Sequence, residues 1–297
     1  MIAFIFPAFT HDYKNHPGSE LPGFHDSFNS LLNKASIEFE PRVKHFNFQD
    51  NTFLDDELLS QYITYIYSCA SAEALRKTSV IPDIAAGYSM GIYAALADAG
   101  SISFIDGLRL IEQAFLSIAT KTSGTRFAMG TVIGLDLHDL LKIIHAAGNS
   151  LEITNQNSTH SFVLSGICKE IEIALALASE EGALHTKLLK VTVPYHSRFL
   201  EEAAYAFLAF VKEIPIEPAS THLISLIDQQ WFSSPGEIVW ELTRNLYFHL
   251  NWYKTQQYLL GIGIKSFIEC GPSKGLVKNA KFIEGNYTFS SLDSLVV

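Results

Sequence analysis

Five residues, Gly87-Tyr88-Ser89-Met90-Gly91, spell Gly-x-Ser-x-Gly. This spacing can hold a serine on a sharp turn between a strand and a helix. The apolar run Val80–Ala86 before it predicts a short buried strand, and the alanine-rich Ile92–Ala99 after it predicts a helix ending at Gly100. Glycine on both sides suits a turn too tight for a Cβ. A serine so placed presents its hydroxyl at a helix N-terminus, where free N–H groups and the dipole favour negative charge. That arrangement can attack an acyl carbon and hold the oxyanion. The same letters arise by chance in loops rich in Gly and Ser, but the flanking strand and helix set this copy apart.

A serine nucleophile needs a base that works near neutral pH, and histidine is the usual one. The chain has 11 histidines. Ten of them sit on polar stretches or helix faces. His196 differs, because it follows the apolar run Leu188–Val193 and Pro194-Tyr195 and precedes a helical pattern over Ser197–Glu213. A strand end beside a helix start is where open α/β sheets collect their sites. The residues alone leave two readings of His196, a general base or a helix cap satisfied locally.

The elements that must position this pair follow from the patterning. Met1–Pro7 predicts a first buried strand, 10–22 a loop, and Phe24–Lys34 and Asp55–Leu75 helices; a further helix opens near Phe104. From Phe127 the order changes to strand (Phe127–Gly134), helix (Asp136–Ala147), strand (Leu151–Thr154), strand (Ser161–Gly166), helix (Cys168–Glu181) and strand (Thr186–Val193). That is βαββαβ, a ferredoxin-like unit. The predicted fold class is therefore α/β, a hydrolase-like α/β core with a parallel sheet and an inserted ferredoxin-like subdomain. Residues 1–124 and 191–297 would form the large part and 125–190 the small one. A late strand, Lys265–Glu269, leads into Cys270-Gly271-Pro272-Ser273, and the last ten residues read as a strand with a loose end.

The chain has 297 residues, 48% of them hydrophobic and 18% charged, enough for a substantial core. Its formal charge of −10 argues against nucleic acid or an anionic membrane as partner. Three scattered cysteines, Cys69, Cys168 and Cys270, show no metal spacing or disulfide framework, so no metal is expected. The apolar N-terminus lacks a basic leader, and no apolar run approaches the roughly 20 residues needed to cross a bilayer. A soluble, cytoplasmic, monomeric protein is expected.

Six dispersed motifs together resemble one family. They are Phe4-Ile5-Phe6-Pro7, the serine turn, the insert containing Asn155-Gln156-Asn157-Ser158, Val193-Pro194-Tyr195-His196-Ser197, Arg244-Asn245-Leu246-Tyr247, and Glu269-Cys270-Gly271-Pro272-Ser273-Lys274. Their order is similar to that of malonyl-CoA:acyl carrier protein transacylases, including stand-alone acyltransferases of polyketide synthases. The resemblance implies that Ser89 is acylated in a ping-pong mechanism and that His196 acts as base and then acid. It implies that the Asn245 backbone carbonyl orients the histidine in place of a carboxylate, and that the N–H groups of Phe9 and Met90 form the oxyanion hole. Tyr88, Ala114, Asn157 and Tyr195 would line the acyl pocket. No bound cofactor is implied; the substrate would be an acyl-phosphopantetheine on carrier protein or coenzyme A. Acyl carrier protein would be the partner, meeting a local basic patch that includes Arg198, Lys274 or Lys278.

The departures from the family pattern bear on the substrate. Phe9 replaces a glutamine, Tyr88 a histidine and Ile92 a glutamate. Ala114 stands where the family has the arginine that pairs with the malonyl carboxylate. Arg109 is five residues away, about 140° round a helix, and so on another face. These changes predict an apolar pocket that disfavours malonyl. The leading expectation is an editing acyl hydrolase that releases stalled non-malonyl chains in polyketide biosynthesis. The alternative is an acyltransferase moving acetyl or a similar group from coenzyme A to carrier protein. A catalytically idle docking protein and an esterase using Asp98, Asp106, Asp136 or Asp139 are weaker readings. The first ignores an intact Ser-His pair, and the second lacks an acid at a strand end.

Overall fold

The structure, a computed structural model, describes residues 1–10, 13, 20–50 and 55–295. Most of the predicted loop over 10–22, with His11 and His16, lies outside the described residues. Two sheets organise the chain. The larger has strand order β11 (Thr288–Ser291), β10 (Ser266–Glu269), β1 (Ile2–Phe6), β2 (Ile84–Gly87), β7 (His222–Ile224) and β8 (Trp231–Phe232). All of its pairings are parallel except the last, β7 with β8. Ala3, Phe4, Ile5 and Phe6 in β1 are fully buried, as expected of a central parallel strand covered on both faces.

The helix α2 (Glu57–Lys77) packs against α1 (Phe24–Glu38), α3 (Gly91–Asp98) and α4 (Phe104–Thr122). It starts where the Asp56 side chain accepts from the N–H groups of Leu58 and Leu59, a cap worth about 1 kcal/mol. The start of α4 is set by Ser103, whose hydroxyl accepts from Asp106 N at 3.0 Å. This fixes the rotation of α4 and with it the face that carries Ala114.

The smaller sheet runs β6 (His185–Leu188), β3 (Phe127–Ile133), β5 (Ser161–Ile167), β4 (Glu152–Ser158) and β9 (Leu250–Asn251). Its first four strands, with α5 (Leu137–Ala147) and α6 (Cys168–Glu180), are the ferredoxin-like βαββαβ unit. They have a core of their own, including Val132, Leu140, Phe162, Leu164, Ile171 and Ala174. The strand expected over Thr186–Val193 ends at Leu188. Leu189 still donates to Met129 O at 2.9 Å, and the chain then leaves the sheet as irregular backbone. The helix expected from Ser197 begins at Glu201, as α7 (Glu201–Val211), after a short 3₁₀ turn over Arg198–Leu200. No helix among the described residues is long and apolar enough to cross a membrane.

Candidate active site

The serine turn follows from close packing of two parallel strands. Tyr88 N donates to Phe6 O at 2.8 Å, which brings the end of β1 against the start of α3. A Cβ on Gly87 would strike the Ile92 backbone, and one on Gly91 would strike the Phe6 carbonyl. Between them Ser89 adopts φ 57°, the left-handed region. Such a conformation costs a non-glycine residue about 1–3 kcal/mol and persists only where its surroundings enforce it. Met90 caps α3, so its N–H belongs to the first-turn donors that a helix leaves for a ligand.

His196 reaches the serine from irregular chain rather than from a strand end, a difference from the sequence expectation. Its own N–H donates to Leu246 O at 2.9 Å, and its φ is 61°. The Ser89 Oγ to His196 Nε2 distance is 2.7 Å. Asn245, at the C-terminal end of α8 (Pro235–Arg244), serves both partners. Its side-chain Nδ2 donates to Ser89 O at 3.2 Å. Its main-chain carbonyl acts on the imidazole, although Nδ1 lies outside strict hydrogen-bond geometry. With Ser89 donating to Nε2, the neutral ring carries its proton on Nδ1.

Burial pushes the His196 pKa down to about 4; the Asn245 carbonyl opposes that shift and His249 adds slightly to it. The imidazole is therefore a neutral, proton-accepting base throughout the neutral range. We expect single-turnover acylation of Ser89 by a neutral thioester to stay flat from pH 7 to about pH 5 and to fall near pH 4. A stopped-flow pH profile breaking near 6.5 instead would refute the burial account. The same group makes stability pH-dependent. Unfolded histidine protonates near pH 6.5 and the folded one near 4, so its contribution is complete above 6.5 and is lost as pH falls between the two.

Two cavities meet at Ser89 and His196. The outer, of about 480 Å³, is bordered by Tyr88, Met129, Asn155, Lys187 and Lys190. The inner, of about 40 Å³, is lined by Gln61, Met90, Tyr93, Ala114, Phe115 and Tyr195, among others. Phe9 lies against both, its ring edge-on to Tyr195 at 6.4 Å between centroids. Among the residues lining the inner cavity, none is Arg or Lys. Arg109 faces outward, more than half exposed, and pairs with Asp106 at 3.1 Å. The nearby charge is negative instead. Glu57 Oε1 accepts from Tyr195 OH at 2.8 Å and from Gln61 Nε2 at 3.4 Å.

Of the expected pocket residues, Ala114 and Tyr195 line the inner cavity. Tyr88 borders only the outer one, and Asn157 borders neither; it accepts from Tyr88 OH at 2.8 Å and sits behind it. Sequence reasoning missed Gln61, Tyr93 and Phe115. Gln61 had a signal, a lone amide in the apolar run from Leu58 to Ile66. Two of the expected docking cations are engaged within the chain, Arg198 with Glu152 and Lys274 with Asp293, each at 2.6 Å. Lys187 and Lys190 are the cations on the outer cavity.

No family model matches the chain. It is 30% identical over 217 residues to the malonyl CoA-acyl carrier protein transacylase of Haemophilus influenzae, covering 72% of this chain and 69% of that protein. It is 28% identical over 290 residues to the polyketide biosynthesis malonyl CoA-acyl carrier protein transacylase BaeC of Bacillus velezensis, covering 95% and 97%. Among solved structures, the malonyl CoA-acyl carrier protein transacylase of Coxiella burnetii superposes with a TM-score of 0.86 at 26% identity, covering 98% of this chain and 93% of that one.

Proposed function

Because the chain belongs to the malonyl CoA-acyl carrier protein transacylase family, we propose that it is a serine-dependent acyl-thioester enzyme acting on carrier-bound acyl groups, and that it releases short non-carboxylated groups to water. His196 Nε2 takes the Ser89 proton as Oγ attacks the thioester carbonyl. The N–H groups of Met90 and Phe9 face the developing oxyanion. The tetrahedral intermediate collapses, the C–S bond breaks, and the imidazolium returns its proton to the departing phosphopantetheine thiolate. Water then replaces the thiol in the outer cavity. His196 removes its proton, hydroxide attacks the acyl-serine, and Ser89 leaves with the proton from His196.

The observation that carries this reading is the inner cavity. It has Ala114 where a malonyl group would need a cation, and Glu57 is held beside it through Tyr195 and Gln61. A buried carboxylate deprived of its partner costs about 3–5 kcal/mol, a factor of hundreds or more in affinity. Acetyl-loaded carrier protein should therefore lose its acyl group faster than malonyl-loaded carrier protein. Ala114→Arg should shift that preference toward malonyl by about 10- to 100-fold. Equal or faster malonyl release by the unaltered enzyme, read by mass spectrometry of the carrier, would sink the reading.

The relatives' names favour a second reading, transfer of the acyl group to a carrier thiol. Both reactions share the acyl-serine. They differ in whether free acid or acyl-carrier accumulates when an unloaded carrier protein is added.

A further inference from the structure

A third cavity, of about 520 Å³, lies between α4, β3, α6 and the irregular stretch after β6. Its walls include Ala119, Phe127, Leu189, Val191 and Val193, with Glu57, Glu172 and the exposed Arg126 also on its border. Two residues of α4, Phe115 and Ile118, line both this cavity and the 40 Å³ acyl cavity. They stand three apart, one helical turn, so their side chains stack on one face. Ala114, their neighbour, offers only a methyl. The acyl cavity, open toward the outer cavity at Ser89, has room for little beyond an acetyl-sized group, while a space more than ten times larger begins on the other side of this wall.

We propose that Phe115 and Ile118 form a partition that fixes the acyl length, and that the larger cavity is the site for the distal part of a long acyl chain once the partition is opened. The inference rests on the acyl-serine reading above. It adds what that reading leaves open, which acyl lengths are accepted and which residues decide. Both side chains line the acyl cavity and act on which acyl lengths fit it.

The test is acylation of the intact protein by thioesters of increasing length. In each case the acyl group passes from the thioester sulfur to Ser89 Oγ and the thiol is released; the mass of the protein reports the product. The wild-type enzyme should take acetyl much faster than octanoyl. Phe115→Ala should raise kcat/KM for octanoyl thioester roughly 100-fold, the effect of about three to four newly buried methylenes at about fourfold each. Because Phe115 also lines the acetyl-sized cavity, the readout is the ratio of octanoyl to acetyl kcat/KM, which should rise. Most of the octanoyl gain should appear in KM. Ile118→Val, a milder opening of the same wall, should raise hexanoyl labelling and keeps the test available if Phe115→Ala does not fold. Unchanged long-chain labelling in variants that still acetylate would overturn the partition, as would wild-type octanoylation as fast as acetylation. A wild-type preference for malonyl would instead sink the proposed reaction, while the length effect of the two variants would remain readable.

Discussion

Ser89→Ala is expected to lower acyl-thioester turnover by roughly 10⁴-fold or more and to abolish the acyl-protein adduct. The loss is large because the substitution removes the atom that forms the covalent bond. His196, left with no hydroxyl at 2.7 Å, could only activate water against a thioester positioned for a different nucleophile. The fold should survive. Alanine at φ 57° carries the same left-handed strain as serine, and the backbone bonds of the turn, Gly91 N to Tyr88 O and Ile92 N to Ser89 O, do not involve the hydroxyl. A melting temperature close to wild type, with turnover gone, is the expected pair of results. Turnover within tenfold of wild type would mean that Ser89 is not the nucleophile.

The second large effect concerns the backbone beneath the serine. Gly91→Ala should destabilise the protein by about 3 kcal/mol or more. The added methyl would fall on the Phe6 carbonyl oxygen and 2.9 Å from Pro7 O. Both are main-chain atoms at the end of the buried strand β1. They cannot give way without breaking the Tyr88 N to Phe6 O bond, which sets the turn. Gly236→Ala is the control. A methyl there would meet no atom within 4 Å, and in the first turn of α8 alanine should be neutral or slightly stabilising. Urea midpoints of the two variants test the contrast. A Gly91→Ala protein as stable as Gly236→Ala would show that the turn is not as tight as the geometry requires.

Where function depends on neighbours in sequence, the chain is readable. The serine turn is a local pattern of strand, glycines and helix. The insert announces itself through alternating periods of two and 3.6 between Phe127 and Leu188. Features made by chain segments meeting from afar are not readable. Gln61, Tyr93 and Phe115 come from α2, α3 and α4, and no spacing in sequence places them on one cavity. The apolar run Leu188–Val193 misleads for a physical reason. Leu189 and Val191 are apolar because they wall cavities rather than because they sit in a sheet, and a short apolar run looks the same in either case. The stretch 214–264 shows little pattern in sequence, although β7, β8, α8, β9 and α9 (Trp252–Gly261) fall within it. Its strands have only two or three residues each, too few to show a period.

The short strand β9 joins the smaller sheet from outside the insert. Asn155 and Gln156 of β4 pair with Leu250 and Asn251, and Asn251 Nδ2 donates to Gln156 Oε1 at 2.9 Å. His249, just before it, bonds through Nδ1 to Ile153 O at 2.8 Å. The insert is thus contiguous in sequence but not self-contained in its pairing. A chimera that exchanges residues 125–190 alone for those of a relative would present a foreign β4 edge to the resident 249–251 segment. Modular recombination in this scaffold therefore has to move two pieces of chain together, the insert and the three residues that complete its sheet.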